Sequence, residues 1–189
     1  MDPFVGCFVC GKAQNGQICS NHPMTSVDVH ISTMRAGTIE TLINALKFHN
    51  VKDAALSLAE ILDDSTPLFP DGSIIVPVPT VTSHIRQRGY DHIGLISSGF
   101  GVLREMEVVP LIRRINSATQ HIANKVTRER QSASAFELDE RLLKSMRGRT
   151  VVLIDDIITT GSTISAASKL LVDVGFYVYI VALAYQPLD

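Results

Sequence analysis

Tryptophan is absent from the 189 residues, aromatic residues make up only 6%, and the net charge is −2. Proteins that bind nucleic acid usually combine stacking rings with a basic surface, so this composition argues against that class. The chain also lacks an apolar run long enough to cross a membrane, and no basic region followed by an apolar stretch opens it. We therefore expect a cytoplasmic protein that is not inserted into a membrane.

Two common nucleotide-binding fingerprints are also missing. No Gly-x-x-x-x-Gly-Lys followed by Ser or Thr occurs, which excludes a P-loop of the usual kind. Gly99 and Gly101 lack the third glycine of a dinucleotide fingerprint, and they precede no phosphate-binding turn. A phosphate site in this chain must therefore use another kind of loop.

The chain has only three cysteines, which lie near the N-terminus in the order C-x2-C, eight residues, C-x2-H. This spacing lets Cys7, Cys10, Cys19 and His22 surround one tetrahedral ion. Four protein ligands leave no open position, so we expect a structural Zn2+ site. The alternatives are free thiols with an unrelated histidine, or a disulfide, which would leave one cysteine over and suits a cytosolic chain poorly. We place this knuckle and its lead-in at residues 1–36.

The rest of the chain, residues 37–189, alternates apolar strand patterns with amphipathic helix patterns. This alternation predicts an α/β domain with a doubly wound, mainly parallel sheet. The predicted strands cover 27–31, 73–78, 108–112, 151–154 and 177–184, and the predicted helices cover 38–48, 51–63, 91–103 and a segment that begins near 164. A loop is predicted between residues 80 and 91. Ligands of such sheets bind at the carboxyl ends of the strands.

One stretch, residues 151–163, concentrates polar groups at such a strand end. An apolar strand is followed by Asp155 and Asp156, and then by a turn of small and hydroxylic residues that leads into a helix: Thr159, Thr160, Gly161, Ser162 and Thr163. Free N–H groups and hydroxyls at a helix N-terminus suit a phosphate, and carboxylates can accept hydrogen bonds from a diol. The sequence therefore favours a sugar phosphate, although a capped turn with two solvated acids is the plain alternative.

Basic residues are concentrated in one part of the chain. Residues 86–149 hold 12 of the 17 Lys and Arg against 7 of the 19 acids, a surplus of five positive charges. Such a surplus suits a pyrophosphate leaving group, and a solvated basic face is the alternative. Arg86 and Arg88 follow a predicted strand end, where they bind an anion or form a loop salt bridge. Lys47 ends a predicted helix, where it stabilises the helix dipole or faces a ligand.

The stretch 151–163 resembles the ribose-phosphate signature of type I phosphoribosyltransferases, which bind phosphoribosyl pyrophosphate (PRPP). Further motifs follow in one order over nearly the whole chain, and together they resemble the ComF family of amidophosphoribosyltransferase-like proteins. These motifs are the cysteine knuckle, Leu46-Lys47-Phe48, Val76-Pro77-Val78-Pro79, Arg86-Gln87-Arg88-Gly89-Tyr90, Thr119-Gln120, Ala135-Phe136 and the acidic signature. The chain departs from the family pattern at His22 for a cysteine, at Asp91-His92 for Asn-Gln, and at Gln131 for Asn.

The resemblance implies a Mg2+-dependent transferase that moves phosphoribose from PRPP to an unidentified base or amine and releases pyrophosphate. It assigns catalytic roles to Asp155 and Asp156 at the ribose hydroxyls and to Arg86 and Arg88 at the pyrophosphate. The implied PRPP-binding residues are Lys47, Pro79, Asp155, Asp156, Ile157, Thr159, Thr160, Gly161, Ser162 and Thr163. A lid drawn from residues 116–136 would exclude water.

Two rival functions use the same residues. One is a regulator that binds PRPP or a nucleotide without turnover. The other is an accessory protein of DNA uptake in competence, with the DNA-uptake machinery as partner. The sequence leaves open whether the protein forms a homodimer. Because neighbouring acids repel, we also expect that replacing Asp155 or Asp156 by Asn weakens PRPP binding and raises stability slightly.

Overall fold

A computed structural model describes residues 4–12, 16–115 and 135–187 of the protein. Its strands are β1 (Val27–Met34), β2 (Ile74–Pro77), β3 (Glu107–Val108), β4 (Ile112–Arg114), β5 (Phe136–Leu138), β6 (Thr150–Ile158) and β7 (Tyr177–Tyr185). Its helices are α1 (Gly37–Phe48), α2 (Ala54–Ser65), α3 (Thr82–Arg88), α4 (His92–Arg104), α5 (Glu140–Met146) and α6 (Ser162–Val172). The predicted lid, residues 116–136, lies almost wholly outside the described residues.

The main sheet is parallel throughout, in the order β1-β7-β6-β2-β3. Strand β6 lies at its centre, where Leu153 pairs with Ile180 on one side and with Val76 on the other. Strands β4 and β5 form a separate antiparallel ribbon. The prediction of an α/β fold with a mainly parallel sheet is therefore confirmed.

Side chains of β6 alternate between two hydrophobic cores, one on each face of the sheet. Val152 and Ile154 pack with apolar residues of α1, α2 and α4. Val151 and Leu153 pack with α6, Leu143 of α5 and Phe8 of the N-terminal segment. A strand that is buried on both faces needs apolar residues at every position, which explains the unbroken apolar run. The alternation sends the next two side chains, Asp155 and Asp156, to opposite faces.

Three element predictions were wrong in their limits. Strand β6 runs on to Ile158, so the two acids lie within it and not after it. Residues 82–88 form α3 where a loop was predicted. No helix breaker interrupts them, and Gly89 ends the helix at φ 81°, a conformation that glycine adopts without strain. The predicted strand 108–112 is divided between β3 and β4, because Pro110 between them has no N–H for a ladder.

Strand β1, which the sequence placed in the lead-in segment, is the edge of the main sheet beside β7. The division at residue 36 stays a prediction. Within the described parts of the chain, no helix has both the length and the apolar composition needed to cross a bilayer.

Candidate functional site

The two acids of β6 point to different faces of the sheet at its carboxyl end. Asp156 lies on the side of Ile154 and is 5% exposed, whereas Asp155 lies on the other side and is partly exposed. Backbone N–H groups hold both carboxylates: the amide of Asp156 donates to Asp155 Oδ1 at 2.9 Å, and the amide of Ile157 donates to Asp156 Oδ1 at 2.8 Å. They are therefore ordered side chains and not solvated turn residues.

Asp156 receives two side chains from neighbouring helices. Lys47, near the end of α1, forms an ion pair with Asp156 Oδ2. His92, the first residue of α4, places Nε2 at 3.1 Å from the same oxygen. Arg88 Nη1 lies 2.8 Å from the other ring nitrogen of His92, Nδ1. We call Lys47, Asp156, His92 and Arg88 the Asp156 network.

The network shifts the pKa values of the neighbouring acids in opposite directions. Burial alone would raise the pKa of Asp156, but the hydrogen bond from His92 and the charge of Lys47 outweigh it, and the pKa lies below the ordinary value. Burial, reinforced by the negative charge of Asp156, raises the pKa of Asp155 to about 8. With these shifts, the negative charge of the pair near neutral pH lies mainly on Asp156.

A cavity of about 710 Å³ opens in front of both acids. Lys47 and Arg88 line it together with Asp155, Asp156 and Arg114. Its wall also contains Pro79, Thr80, His84, Tyr90, His92 and Thr163. The volume is large enough for a drug-sized ligand, and the basic groups outnumber the single carboxylate charge. The cavity therefore suits a ligand that carries several negative charges.

The turn after β6 forms a second, smaller cup of about 50 Å³ at the N-terminus of α6. Gly161 starts the helix at φ 69° and has no side chain that could cap it. Thr160 Oγ1 and Ser162 Oγ lie 2.8 Å apart across the turn. The hydroxyls and the open helix N-terminus provide donors for a phosphate. The cup shares two lining residues, Asp155 and Thr163, with the large cavity.

The four predicted metal ligands lie together in the N-terminal knuckle. Their donor atoms lie within 4.8 Å of one another: Cys10 Sγ is 3.9 Å from Cys19 Sγ, and His22 Nδ1 is 3.7 Å from Cys7 Sγ. Tetrahedral zinc with bonds of about 2.3 Å to sulfur and 2.0–2.1 Å to nitrogen needs donors slightly under 4 Å apart. The cluster therefore has the donor set and the spacing to hold a zinc ion.

The knuckle packs directly against the turn at residues 159–163. Phe8, between the first two cysteines, is fully buried beside Gly161. A Cβ at position 161 would lie 3.1 Å from the Phe8 ring and 3.2 Å from its carbonyl oxygen. Gly161 is therefore required both by its positive φ and by this close approach.

Most of the predicted site residues meet at these two cavities. The larger one is lined by Lys47, Pro79, Arg88, Asp155, Asp156 and Thr163. The cup is lined by Ile157, Thr159, Thr160, Gly161 and Ser162. Arg86 lies exposed on α3 and is not among the described residues that line the larger cavity. His92 and Arg114 are not among the site residues predicted from the sequence. Only the fold shows that His92 and Asp156, 64 positions apart, are in contact.

This fold and this site agree with a match to the phosphoribosyl transferase domain over residues 87–188, more than half of the chain. The chain belongs to this family, and its recognition as a ComF-type member of the type I phosphoribosyltransferase-like proteins is confirmed.

Relatives are named DNA utilization protein YhgH. The protein of Escherichia coli (strain K12) is 29% identical over 146 residues, which cover 72% of this chain and 62% of the relative. That of Salmonella typhimurium is 29% identical over 145 residues, 70% of this chain and 60% of the relative. The chain thus spans about three fifths of the length of these relatives.

Proposed function

We propose that the protein binds PRPP and transfers its phosphoribosyl group to a base or an amine, with release of pyrophosphate. The observation that carries this proposal is the continuity of the two cavities, which share Asp155 and Thr163. A phosphate cup, a pair of acids and a basic cavity in that order match a 5′-phosphate, a ribose diol and a pyrophosphate.

In this arrangement the turn from Thr159 to Thr163 holds the 5′-phosphate at the N-terminus of α6. The carboxyl groups of Asp155 and Asp156 accept hydrogen bonds from the ribose hydroxyls. Asp155 adds a donor of its own while it is protonated, so the two acids recognise a diol without placing two negative charges side by side.

Lys47 and Arg88 neutralise the pyrophosphate in the larger cavity. As the bond from ribose C1 to the pyrophosphate oxygen breaks, the electron pair leaves with the oxygen, and the acceptor nitrogen supplies the new pair to C1. The residues of the chain act here by orienting the reactants and by stabilising the leaving charge.

Magnesium is the metal that this family implies. Oxygen ligands suit it, and the partly exposed carboxyl of Asp155 faces the cavity, so this residue together with the ligand phosphates would hold the ion. Bound there, magnesium would neutralise charge on the pyrophosphate.

The test is a screen for pyrophosphate release. Purified protein, PRPP and Mg2+ are incubated with single bases and amines, and pyrophosphate and the new nucleotide are measured in parallel. Acceptor-dependent release is expected for one class of acceptor. PRPP binding without release for any acceptor would instead favour a PRPP-binding regulator, and absence of PRPP binding would contradict both functions.

A role in DNA utilization is the second candidate, and the name of the relatives favours it. PRPP binding and such a role are compatible, because a regulator of DNA use could respond to a nucleotide precursor. A deletion strain complemented with the wild-type protein or with Asp156→Asn tests whether the role in DNA utilization requires the PRPP site. If uptake or utilization of DNA depends on this protein, rescue by the variant would separate that role from the ligand site.

We also propose that the knuckle holds one structural Zn2+ through Cys7, Cys10, Cys19 and His22. Because Phe8 contacts Gly161, the ion would stabilise the turn at residues 159–163 as well as the N-terminal segment. Elemental analysis is expected to give one zinc per chain. A folded protein free of metal would contradict the proposal.

A further inference from the structure

We propose that His92 is a positioning residue of this site, which rests on the proposed function. It orients the charged carboxylate of Asp156 for the ribose and at the same time holds the Arg88 guanidinium in the wall of the cavity. His92 thereby connects the part of the site that would bind the sugar to the part that would bind the leaving group.

The hydrogen-bond partners of His92 determine its tautomer. Arg88 can only donate, because a guanidinium has no acceptor. Its Nη1, at 2.8 Å, therefore donates to Nδ1 of His92, which must carry a lone pair. The proton of the neutral ring is then on Nε2, which donates to Asp156 Oδ2 at 3.1 Å. Each end of the imidazole thus has one defined role.

Three donors from the described part of the chain fix Asp156. Its Oδ2 receives His92 and Lys47, and its Oδ1 accepts the backbone N–H of Ile157 at 2.8 Å. These contacts define the plane of the carboxylate. A ligand hydroxyl therefore meets an acceptor that is already oriented, so less conformational freedom is lost on binding.

The backbone at His92 is fixed by a helix cap. Asp91 caps α4, and its Oδ1 accepts the backbone N–H of Ile93 at 3.2 Å. The same oxygen accepts the hydroxyl of Thr80 at 2.8 Å, and Thr80 itself lines the cavity. Since His92 is only 5% exposed, water cannot readily replace a lost partner of its ring.

Glutamine provides a conservative test. Its side-chain oxygen can accept from Arg88 while its NH2 group donates to Asp156, which preserves both contacts. Leucine has a similar size but can do neither. His49→Leu is the matched control, because His49 is exposed just after α1 and is not among the described residues of the cavity wall.

The first measurement uses the ligand-free protein and does not depend on the proposed function. Imidazole 15N spectra of the wild type, with the His92 signal assigned by its loss in His92→Gln, should show a neutral ring protonated on Nε2. The carboxyl 13C signal of Asp156 should stay in place in His92→Gln and move in His92→Leu. A ring protonated on Nδ1, a charged ring, or an unmoved Asp156 signal in His92→Leu would overturn the proposal.

The second measurement is calorimetric titration with PRPP and Mg2+. His92→Gln should bind within about threefold of the wild type, and His92→Leu at least tenfold more weakly, with His49→Leu unchanged. If His92→Leu does not fold, the wild-type tautomer and the His92→Gln affinity still decide: a tenfold loss in His92→Gln would overturn the proposal. A wild type that binds no PRPP would contradict the proposed function, while the spectra would still test the hydrogen bonds of His92.

Discussion

Asp155 and Asp156 are adjacent in the sequence, yet the two faces of the sheet treat them differently. On the Asp156 side, α1 and α4 supply Lys47 and His92, so a buried carboxylate is kept charged. On the Asp155 side, the described structure places no cation in contact with the carboxyl, and burial raises its pKa to about 8. The charge of each carboxyl group thus depends on which helices supply side chains to its face of the sheet.

This difference explains how two neighbouring acids can be ordered without strong repulsion. The surroundings favour the negative charge on Asp156, whose carboxylate accepts hydrogen bonds. The neighbouring carboxyl of Asp155 can also donate a hydrogen bond while it is protonated. The charged carboxylate, Asp156, is held by its hydrogen-bond donors. The neutral carboxyl, Asp155, is the one that would lose its proton when a cation binds or the pH rises. The predictions below change one face at a time.

The largest effect is expected for Asp156→Asn. This variant should lose PRPP affinity by at least about 100-fold, and it should be destabilised by about 3 kcal/mol because Lys47, whose side chain is only 15% exposed, is left without its counter-ion. The structure thereby reverses the expectation that removing this charge raises stability. Calorimetry and urea unfolding measure the two effects.

Asp173→Asn is the matched control for that variant. Asp173 pairs with Lys169 at 3.2 Å on the exposed surface of α6, where an ion pair contributes less than about 1 kcal/mol. Equal loss of stability in the two variants would show that the Asp156 network contributes no more than a surface pair.

Gly161→Ala tests the contact between the knuckle and the turn. The substitution forces a Cβ into a positive-φ position and against Phe8. We therefore expect the free energy of unfolding to fall by about 2 kcal/mol and the affinity for phosphate to fall as well. Gly148→Ala is the control, because Gly148 has a similar φ of 81° and no atom within 4 Å of the added Cβ. If both variants lose the same stability, the Phe8 contact has no share in the effect.

Lys47→Met is expected to have a moderate effect. It removes the cation nearest to Asp156 and should raise the pKa of that carboxyl, so PRPP affinity should fall about tenfold. Lys169→Met, on the exposed side of α6, should leave binding unchanged. PRPP affinity that Lys47→Met leaves intact would assign Lys47 to helix stability alone.

The effect expected for Asp155→Asn is the smallest near pH 4, and it depends on pH. A carboxyl whose pKa is raised from 3.8 to about 8 binds more protons when folded than when unfolded, so it lowers stability as pH rises between these values. The variant should be close to the wild type near pH 4 and should gain stability over it as the pH rises towards 8, because each unit of pKa shift corresponds to about 1.4 kcal/mol. Urea unfolding at both pH values tests this, and a difference that does not change with pH would contradict the raised pKa.

The sequence predicted the parts of this site that are local in the chain. The strand, the acids and the phosphate turn lie within 13 residues, and the knuckle lies within 16, so spacing alone was informative. The Asp156 network could not be predicted in the same way. Its members come from α1, α3, α4 and β6, and only the packing of those helices on one face shows that His92 is a partner and that Asp155 and Asp156 differ in charge.

The most direct test of the account is a pH titration of the two carboxyl groups by 13C NMR, with signals assigned through Asp155→Asn and Asp156→Asn. The account predicts that Asp156 stays ionised from pH 5 to 9, and that Asp155 takes up its proton as the pH falls through about 8. Two carboxyl groups that both titrate near pH 4, or an Asp156 signal that titrates near neutral pH, would contradict it.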